Sequence, residues 1–398
     1  MPSPKSDHPL SWIEIDSQAL AGNINFLRGL FDSANSGKKT SATQTLLCAP
    51  VKANAYGHGL IEIVRLLRKL PVDYVAIHTL EEAAAARKAG WRKPILAVGY
   101  IARDQFSEAL KLDLEPTIYS LESLRALQEA ARKTKQVARV HIKIETGTNR
   151  QGVSSKELKS IGREILATKF VELVGASTHF ANIEDTTDHT FAYEQLSRFN
   201  RAVRTLRNLG LDIPLRHTAC SAAHLVAPET RFEMIRPGIA LYGHWPSRET
   251  FLSFRHLHPQ MENGSSLKPV LSFKTKVAQI KVVETGETIG YGRTYQTERR
   301  TRLAVAPVGY YDGYSRVLSN LGYALIRGRR APIRGRVCMN NITLDITGLR
   351  GIELEDEVTL IGKSGSEEIT AELVAGWSGT IQYETLARLG QNLPRRVV

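Results

Sequence analysis

The sequence predicts an α/β protein in which an N-terminal (β/α)8 TIM-type barrel precedes a C-terminal, mainly-β domain. Between Leu46 and Tyr242, eight short apolar runs alternate with amphipathic segments of helical period. A stretch that carries three prolines and a Gly-Ser-Ser cluster follows, from His244 to Pro269. Beyond it, apolar residues alternate at period two, which is typical of antiparallel strands. The two parts of the chain therefore predict different architectures.

The eight apolar runs are the candidate barrel strands. They read LLCAPV, YVAIH, PILAVG, LEPTIY, ARVHIKI, VELVGAST, IPLRHTA and GIALYG. Eight βα units within about 200 residues favour a closed parallel barrel. An open, doubly wound sheet stays an alternative, because periodicity alone cannot show that a sheet closes.

Several helices have recognisable ends. Thr79 and Glu82 form a capping-box pattern, and Gly90 follows the last turn of that helix. The polar/apolar segment from Asp188 to Leu209 ends at Gly210 in the same way. Two further helices are predicted near the end of the chain, from Ala371 to Trp377 and from Tyr383 to Leu389.

The change of pattern sets the expected domain limits. We assign residues 10–245 to the barrel, 246–268 to a linker and 269–398 to the β domain, and we expect residues 1–16 to pack on the β domain. In the last part, LSFKTKVAQIKVVE alternates at period two, and RLAVAPVGY, YALIRG, ITLDI and EVTLIG are short strands between Gly-rich turns.

Composition excludes several classes of protein. An apolar content of 42% and a charged content of 23% are those of a globular protein with a sizeable core. No apolar run is long enough for a membrane span, and the N-terminus lacks a secretory apolar region, so we expect a cytoplasmic protein without a membrane partner. Three cysteines (Cys48, Cys220 and Cys338) argue against a disulfide framework.

The net charge of +13 is unusually high. Ten arginines lie between Arg293 and Arg336, against two acidic residues, Glu298 and Asp312. A nucleic-acid footprint would explain this charge, but no nucleic-acid-binding motif accompanies it. We favour a basic face on an enzyme of anionic ligands, and we expect neither a nucleic-acid partner nor a metal site.

Lys52 ends the first predicted strand, within APVKANAYGHGL. Burying a lysine is costly unless its charge or its amine is used. Active sites of such barrels lie at the carboxyl ends of the strands, which is where Lys52 falls. The alternative is a surface lysine whose stem lies along apolar neighbours.

Further polar residues fall at the same predicted rim. In VHIKIE, His141, Lys143 and Glu145 alternate with apolar residues and should point into the barrel, where they need partners. Arg150 follows in the tight loop TGTNRQG, and the sixth strand ends at His179. A lone histidine at a strand end is more often structural than catalytic, but the convergence of these residues favours a site.

The loops after strands seven and eight are the usual phosphate site of such barrels. Ser221 follows the seventh strand, and the motif RPGI introduces the eighth, so the amides of Gly238 and Ile239 lie there. The alternatives are an N-cap role for Ser221 and a simple Pro-Gly turn. A reactive lysine beside a phosphate cradle is one arrangement that binds pyridoxal 5'-phosphate, and the residues alone leave the alternatives open.

The chain also resembles the alanine racemase family. The matching motifs, in order, are WIEIDSQALAGNINFL, VKANAYGHG, IKIETGTNRQGV, ASTHFANIEDTTD, MIRPGIALYG, IGYGRTY, PVGYYDGYSR, GRVCMNN and WSGTIQYE. They extend from about Trp12 to Pro394. The resemblance implies a pyridoxal 5'-phosphate enzyme that interconverts L-alanine and D-alanine and supplies D-alanine for peptidoglycan. It also implies a head-to-tail homodimer with active sites shared between the subunits.

The resemblance implies a role for each matching residue around the cofactor. Lys52 is the Schiff-base lysine, His179 lies beside the pyridine ring, and Arg236 faces the ring nitrogen. The phosphate site is completed by Tyr56, Ser221, Tyr383 and the backbone of Gly238 and Ile239.

The resemblance also implies how substrate is held. Arg150 and the main chain of Met339 of the partner subunit bind the substrate carboxylate, and Tyr310 lines the path by which substrate enters. The lysine that matches Lys143 is often carbamylated in this family, and its new negative charge fixes the arginine.

Racemisation needs two bases, because a proton leaves one face of the α-carbon and returns to the other. The resemblance implies that Lys52 serves one face and Tyr291 of the partner subunit the other. A phenol of ordinary pKa is a poor base at neutral pH. We therefore predict that neighbouring positive groups, His179 and Arg236 among them, lower the pKa of Tyr291.

The sequence departs from the family pattern at a few positions. Asn340 replaces a common aspartate in CMNN, Cys220 precedes Ser221 where asparagine is common, and Thr148 stands where methionine is frequent. Because Asn340 lacks the negative charge of that aspartate, we expect a change in substrate affinity or in the tolerance of larger substrate side chains. A broad-specificity amino-acid racemase of the same fold and a non-catalytic pyridoxal-phosphate-binding protein are the alternative functions.

Overall fold

The computed structural model describes residues 9–34, 45–259, 261 and 267–398. These residues form two compact units. One contains the described residues up to Ser17, together with Ala53–Glu62 and Pro269–Val398; the other contains those of Gln18–Lys52 and Ile63–Lys268. Our predictions for residues 1–8 and for positions 260 and 262–266 of the linker concern residues outside the described part.

The larger unit is built on a parallel sheet. The first strand in the described residues, β1 (Trp12–Ile15), belongs to the other unit. The strands of the larger unit are β2 (Leu46–Pro50), β3 (Tyr74–Ile77), β4 (Ile95–Ala97), β5 (Leu114–Ile118), β6 (Ala138–Lys143), β7 (Val171–Ser177), β8 (Leu215–His217) and β9 (Met234–Ile235). The sheet has the order β8-β7-β6-β5-β4-β3-β2-β9, with every pairing parallel. This sequential order is that of a barrel, not of a doubly wound sheet.

Side chains join the two ends of this sheet. The strands β8 and β9 contact each other, but the described residues form no ladder between them. Instead, the carboxylate of Glu233 accepts hydrogen bonds from the backbone N–H of Arg216 at 2.8 Å and from its Nη2 at 2.5 Å. The predicted (β/α)8 barrel is confirmed, and it is nearly closed.

Helices connect the strands and cover the barrel. They are α1 (Ser17–Ala34), α2 (Lys52–Tyr56), α3 (Leu60–Leu67), α4 (Leu80–Lys88), α5 (Phe106–Lys111), α6 (Leu121–Thr134), α7 (Leu158–Leu166), α8 (Thr190–Asn208), α9 (Ser221–Val226) and α10 (Arg248–Leu257). The capping box that begins α4 is confirmed, because Thr79 and Glu82 exchange both of its hydrogen bonds. The stretch that we assigned to a linker contains α10. Within the described ranges, no helix has the length and apolar character that a membrane span needs.

Our prediction of the eighth barrel strand was wrong. GIALYG was expected to form it, but the eighth strand is Met234–Ile235, and Ile239–Tyr242 form a 3-10 helix. All four residues of this helix are buried, and the Tyr242 hydroxyl donates to the carbonyl of Pro50 at 2.8 Å. A short apolar run that is wholly buried has no periodicity by which to distinguish strand from helix.

The smaller unit is mainly β. Its strands after β1 are β10 (Leu271–Lys276), β11 (Gln279–Val283), β12 (Thr288–Ile289), β13 (Tyr295–Gln296), β14 (Thr301–Ala306), β15 (Tyr323–Ile326), β16 (Arg329–Pro332), β17 (Ile342–Asp345), β18 (Glu357–Ser364), β19 (Glu367–Ile369) and β20 (Arg395–Val397). The main sheet has the order β16-β15-β18-β10-β1-β20, with β19 on β18. Separate sheets contain β11-β14-β17 and β12-β13.

The beginning and the end of the described chain meet in this main sheet. The strand β1 pairs antiparallel with β10 and parallel with β20, and its residues Ile13 and Ile15 are fully buried. Both predicted C-terminal helices are present as α11 (Ala371–Ser378) and α12 (Gln382–Ala387). The predicted mainly-β architecture is thus confirmed.

Candidate active site

Lys52 begins a turn whose backbone is left-handed. The φ angles of Ala53, Asn54 and Ala55 are 54°, 53° and 54°, whereas an ordinary helix has negative values. Each such residue other than glycine costs about 1–2 kcal/mol, so other contacts must stabilise the turn. One is the side chain of Asn54, whose Oδ1 accepts from the N–H of Leu60 at 2.8 Å. Strained backbone of this kind is typical of functional sites.

The same turn brings two predicted phosphate ligands together. Gly57 has a φ of 83°, and a side chain there would collide with the carbonyl oxygen of Leu386 in α12. This close approach, which only glycine permits, places the ring of Tyr56 6.4 Å from that of Tyr383, between centroids. The two tyrosines that the resemblance assigns to the phosphate site are therefore neighbours in the fold.

Cationic side chains gather at the carboxyl ends of the barrel strands. Burial and then Arg150 lower the pKa of Lys52, Glu82 raises it, and Arg236 lowers it by a smaller amount, so the net shift is downward. Burial, Arg150 and Arg236 likewise lower the pKa of Lys143 to about 8. Both lysines are half-buried and close enough to the two arginines to interact electrostatically. An anionic ligand would relieve the mutual repulsion of these four cations.

His179 lies among these cations and is neutral. Burial, followed by the charges of Arg236, Lys143, Arg150 and Lys52, lowers its pKa to about 3. Our expectation that His179 supplies positive charge to lower the pKa of a neighbouring phenol was therefore wrong. The reason is that burial disfavours a charged imidazole, and that four neighbouring cationic side chains further oppose its protonation.

The loop that carries Arg150 is fixed by Glu145. The carboxylate of Glu145 accepts a hydrogen bond from the N–H of Gly147 at 2.5 Å. Burial raises the pKa of this carboxyl group. The backbone N–H groups of Asn149, Gly147, Thr148 and Arg150 lower it by more, so the net shift is downward. A carboxylate held by successive backbone N–H groups orders a tight loop and with it the arginine.

Gln195, which sequence reasoning missed, ties this loop to His179. Its Nε2 lies 3.1 Å from Thr146 Oγ1 and 3.2 Å from the carbonyl of His179, and it is fully buried in α8. Thr148 donates to the same carbonyl at 2.7 Å. A glutamine on the buried face of an amphipathic helix was the available signal.

Arg236 is held inside the barrel by a second residue that was not predicted. Its Nη1 lies 2.6 Å from Nδ1 of His217, and its Nη2 donates to the carbonyl of Thr178 at 3.0 Å. In the seventh predicted strand, His217 lies on the same face as Leu215 and Ala219, and this apolar face could have marked it as an interior residue.

The predicted phosphate cradle has two free donors. The backbone N–H groups of Gly238 and Ile239 are buried and form no hydrogen bond within the described ranges. Ser221 lies beside them, because its Oγ accepts from the N–H of Ala240 at 3.2 Å and keeps its own proton to donate. Buried N–H groups without partners are rare in proteins, so this cradle fits a bound anion such as a phosphate.

Three predicted site residues are exposed on the β unit. Tyr291, Tyr310 and Met339 have exposed fractions of 74%, 44% and 55%. The N–H of Tyr310 donates to the carbonyl of Cys338 at 3.0 Å, which places Tyr310 beside Met339. Gly290 precedes Tyr291 with a φ of 74° and projects it from a tight turn.

The fold and these groups define a class of protein: a (β/α)8 barrel whose rim carries a lysine amine, further cationic side chains and free backbone N–H donors, an arrangement that suits a small anionic ligand. Residues 15–246 match the family model "Alanine racemase, N-terminal domain", and residues 270–397 match "Alanine racemase, C-terminal domain". The chain belongs to the alanine racemase family and is an isomerase.

Individual relatives agree over nearly the whole chain. The alanine racemase of Halothermothrix orenii is 37% identical over 385 residues, which are 97% of this chain and 96% of the relative. The structure of alanine racemase from Bacillus anthracis with bound L-Ala-P superposes with a TM-score of 0.88 at 30% identity, covering 99% of this chain and 96% of that one. Alanine racemase from Bartonella henselae, with covalently bound pyridoxal phosphate, gives a TM-score of 0.83 at 25% identity over 98% and 100% of the two chains.

Proposed function

We propose that the enzyme interconverts L-alanine and D-alanine with pyridoxal 5'-phosphate bound at the barrel rim, and that its D-alanine serves peptidoglycan synthesis. The observation that carries this proposal is a lysine of lowered pKa, Lys52, among cations at a rim that also offers a cradle with free N–H donors. A lysine amine that is easily deprotonated can both bind an aldehyde and move a proton.

The residues present fit pyridoxal 5'-phosphate. Ser221, Gly238 and Ile239 would hold its phosphate, and Tyr56 and Tyr383 would complete that site. Arg236 can only donate hydrogen bonds, so it suits an unprotonated ring nitrogen. When bound, this cofactor makes the α-proton of an attached amino acid acidic.

The chain's own groups would then bind and move protons. Lys52 Nζ, with its lowered pKa, takes or returns the proton on one face of the α-carbon. The hydroxyl of Tyr291 of the partner subunit serves the other face. Arg150 binds the substrate carboxylate, with Met339 of the partner subunit opposite, and Tyr310 lines the path of entering substrate. The exposure of Tyr291 and Met339 on the β unit supports a homodimer with shared sites.

The function is tested by comparing substrates. We expect racemisation of alanine with a kcat/KM at least about tenfold above those for serine, lysine and arginine, since a single added methylene or hydroxyl is worth about 1–3 kcal/mol in a fitted pocket. Chiral chromatography of the products measures all four. A higher value for lysine or arginine would favour a broad-specificity racemase. Cofactor binding without any racemisation would favour the non-catalytic alternative.

Lys143 is expected to become carbamylated. With a pKa of about 8, roughly a tenth of its amine is neutral at pH 7, and only the neutral amine reacts with CO2 to give a carbamate and a proton. The product is negative and neutralises Arg150. At constant dissolved ¹³CO2, a carbamate signal in the ¹³C NMR spectrum should grow as the pH rises from about 7 to about 9.

The control for this signal is Lys143→Gln, which keeps a polar side chain and removes the amine. The signal should be missing from this variant and present in Lys159→Gln, a change of an exposed lysine in α7. A signal that survives in Lys143→Gln would assign the carbamate elsewhere and contradict the prediction.

A further inference from the structure

A row of hydrogen-bonded side chains crosses the barrel interior from Arg236 to Glu115. Arg236 Nη1 lies 2.6 Å from His217 Nδ1, and His217 Nε2 lies 2.8 Å from His141 Nδ1. His141 Nε2 then lies 2.9 Å from Glu115 Oε2. Glu115, His141 and His217 are all at most 1% exposed. The row therefore joins three buried side chains, on β5, β6 and β8, to the half-buried arginine that follows β9.

The arginine at one end fixes the direction in which hydrogen bonds are donated along the row. Arginine can only donate, so Nδ1 of His217 must accept. His217 is neutral, because burial and the charge of Arg236 lower its pKa well below its ordinary value, and its one proton lies on Nε2. That proton is donated to Nδ1 of His141, which leaves the proton of His141 on Nε2, facing Glu115.

The carboxylate end agrees with this direction. An ionised Glu115 can only accept, so it accepts from His141 Nε2. Its other oxygen, Oε1, forms an ion pair with Nη2 of Arg139 at 2.7 Å. Burial, followed by the negative charge of Glu115, also raises the pKa of Tyr74 in strand β3. Every donor in the row thus meets an acceptor, which a buried polar network needs in order to stabilise a core.

We propose that Glu115 is a positioning residue for Arg236. Its carboxylate fixes the tautomers of His141 and His217 and so keeps His217 Nδ1 as an acceptor for the guanidinium. Without an acceptor at position 115, His141 can reverse its tautomer and force His217 to reverse as well, and His217 would then present a donor to Arg236. The proposal that Arg236 faces a cofactor rests on the proposed function. The direction of the hydrogen bonds along the row does not depend on it.

The wild-type protein without cofactor tests the direction of the row. With ¹⁵N-labelled histidine, protonated and bare imidazole nitrogens are distinguished by NMR. We expect both His141 and His217 to carry their proton on Nε2, with Nδ1 bare. A proton on Nδ1 of either residue would overturn the proposal, and no variant needs to fold for this result.

Variants at the carboxylate end test its influence on Arg236. Glu115→Leu removes the acceptor, so mixed tautomers and a dissociation constant for pyridoxal 5'-phosphate raised about tenfold are expected. Glu115→Gln keeps an acceptor oxygen, and Arg139→Gln removes only the outer ion pair, so both should keep the wild-type tautomers and an affinity within about twofold.

The outcomes separate the two proposals. Unchanged tautomers or unchanged cofactor affinity in Glu115→Leu would overturn the positioning role. A wild-type protein with the expected tautomers but no affinity for pyridoxal 5'-phosphate would refute the proposed function while supporting the direction of the row.

Discussion

Replacing Lys52 with alanine is expected to lower the kcat/KM for alanine racemisation by at least about four orders of magnitude. The change removes the amine that we propose as both the covalent anchor of the cofactor and one of the two proton-transferring groups. Alanine has no group that can replace either role, and added cofactor should not restore activity. A coupled assay of D-alanine formation measures the loss.

A matched control separates this effect from a general loss of positive charge. Lys159→Ala removes an exposed lysine of the same unit and should retain activity within about twofold. Borohydride reduction of the cofactor-loaded wild-type protein should label the peptide that contains Lys52. Labelling of Lys143, whose pKa is lowered as well, in place of Lys52 would reassign the anchor.

The fold could be predicted wherever a pattern was local. Alternating apolar and amphipathic segments give the barrel, and period-two alternation in LSFKTK gives a strand whose residues alternate between buried and half-buried. The eighth barrel strand could not be predicted in this way. Its two residues, Met234 and Ile235, are fewer than any periodicity can mark, and the longer apolar run after them is a buried 3-10 helix.

The positions of the site's side chains could be predicted from the sequence more completely than their protonation states. Lys52 and Arg236 follow β2 and β9, whereas Lys143 ends β6 and Arg150 lies in the loop after it. The rule that the ends of barrel strands meet at one rim brings these side chains together. The neutral state of His179 depends first on its burial and then on the sum of their charges across the barrel, and no local pattern contains either.

The backbone conformation of the turn after Lys52 and the hydrogen-bond partners that are distant in the chain could not be predicted from sequence patterns either. Nothing in KANAY distinguishes a left-handed turn from an ordinary first helical turn, because alanine favours the ordinary one. Glu115, His141 and His217 are separated by 26 and 76 residues along the chain, although they form one row. Such pairings follow from strand order and register, which are known only once the barrel has closed.

Tyr291→Phe is expected to lower kcat for alanine racemisation by about 10²- to 10⁴-fold while cofactor affinity stays within about twofold. The hydroxyl that transfers a proton is removed, whereas the ring, which is 74% exposed in the described chain, adds little to stability. Tyr311→Phe is the matched control, since Tyr311 is an exposed tyrosine of the same unit without a proposed role. Similar losses in both variants would contradict a specific role for Tyr291.

Mixing two inactive variants tests whether the site is shared. Lys52→Ala and Tyr291→Phe dimers, unfolded together and refolded as an equal mixture, should regain about a quarter of wild-type activity. About half of the dimers are then mixed, and in each of these one site receives an intact Lys52 from one subunit and an intact Tyr291 from the other. If both groups came from the same chain, every site would lack one of them and no activity would return. Refolding each variant alone gives the baseline, and recovery must depend on the mixing ratio with a maximum at equal amounts.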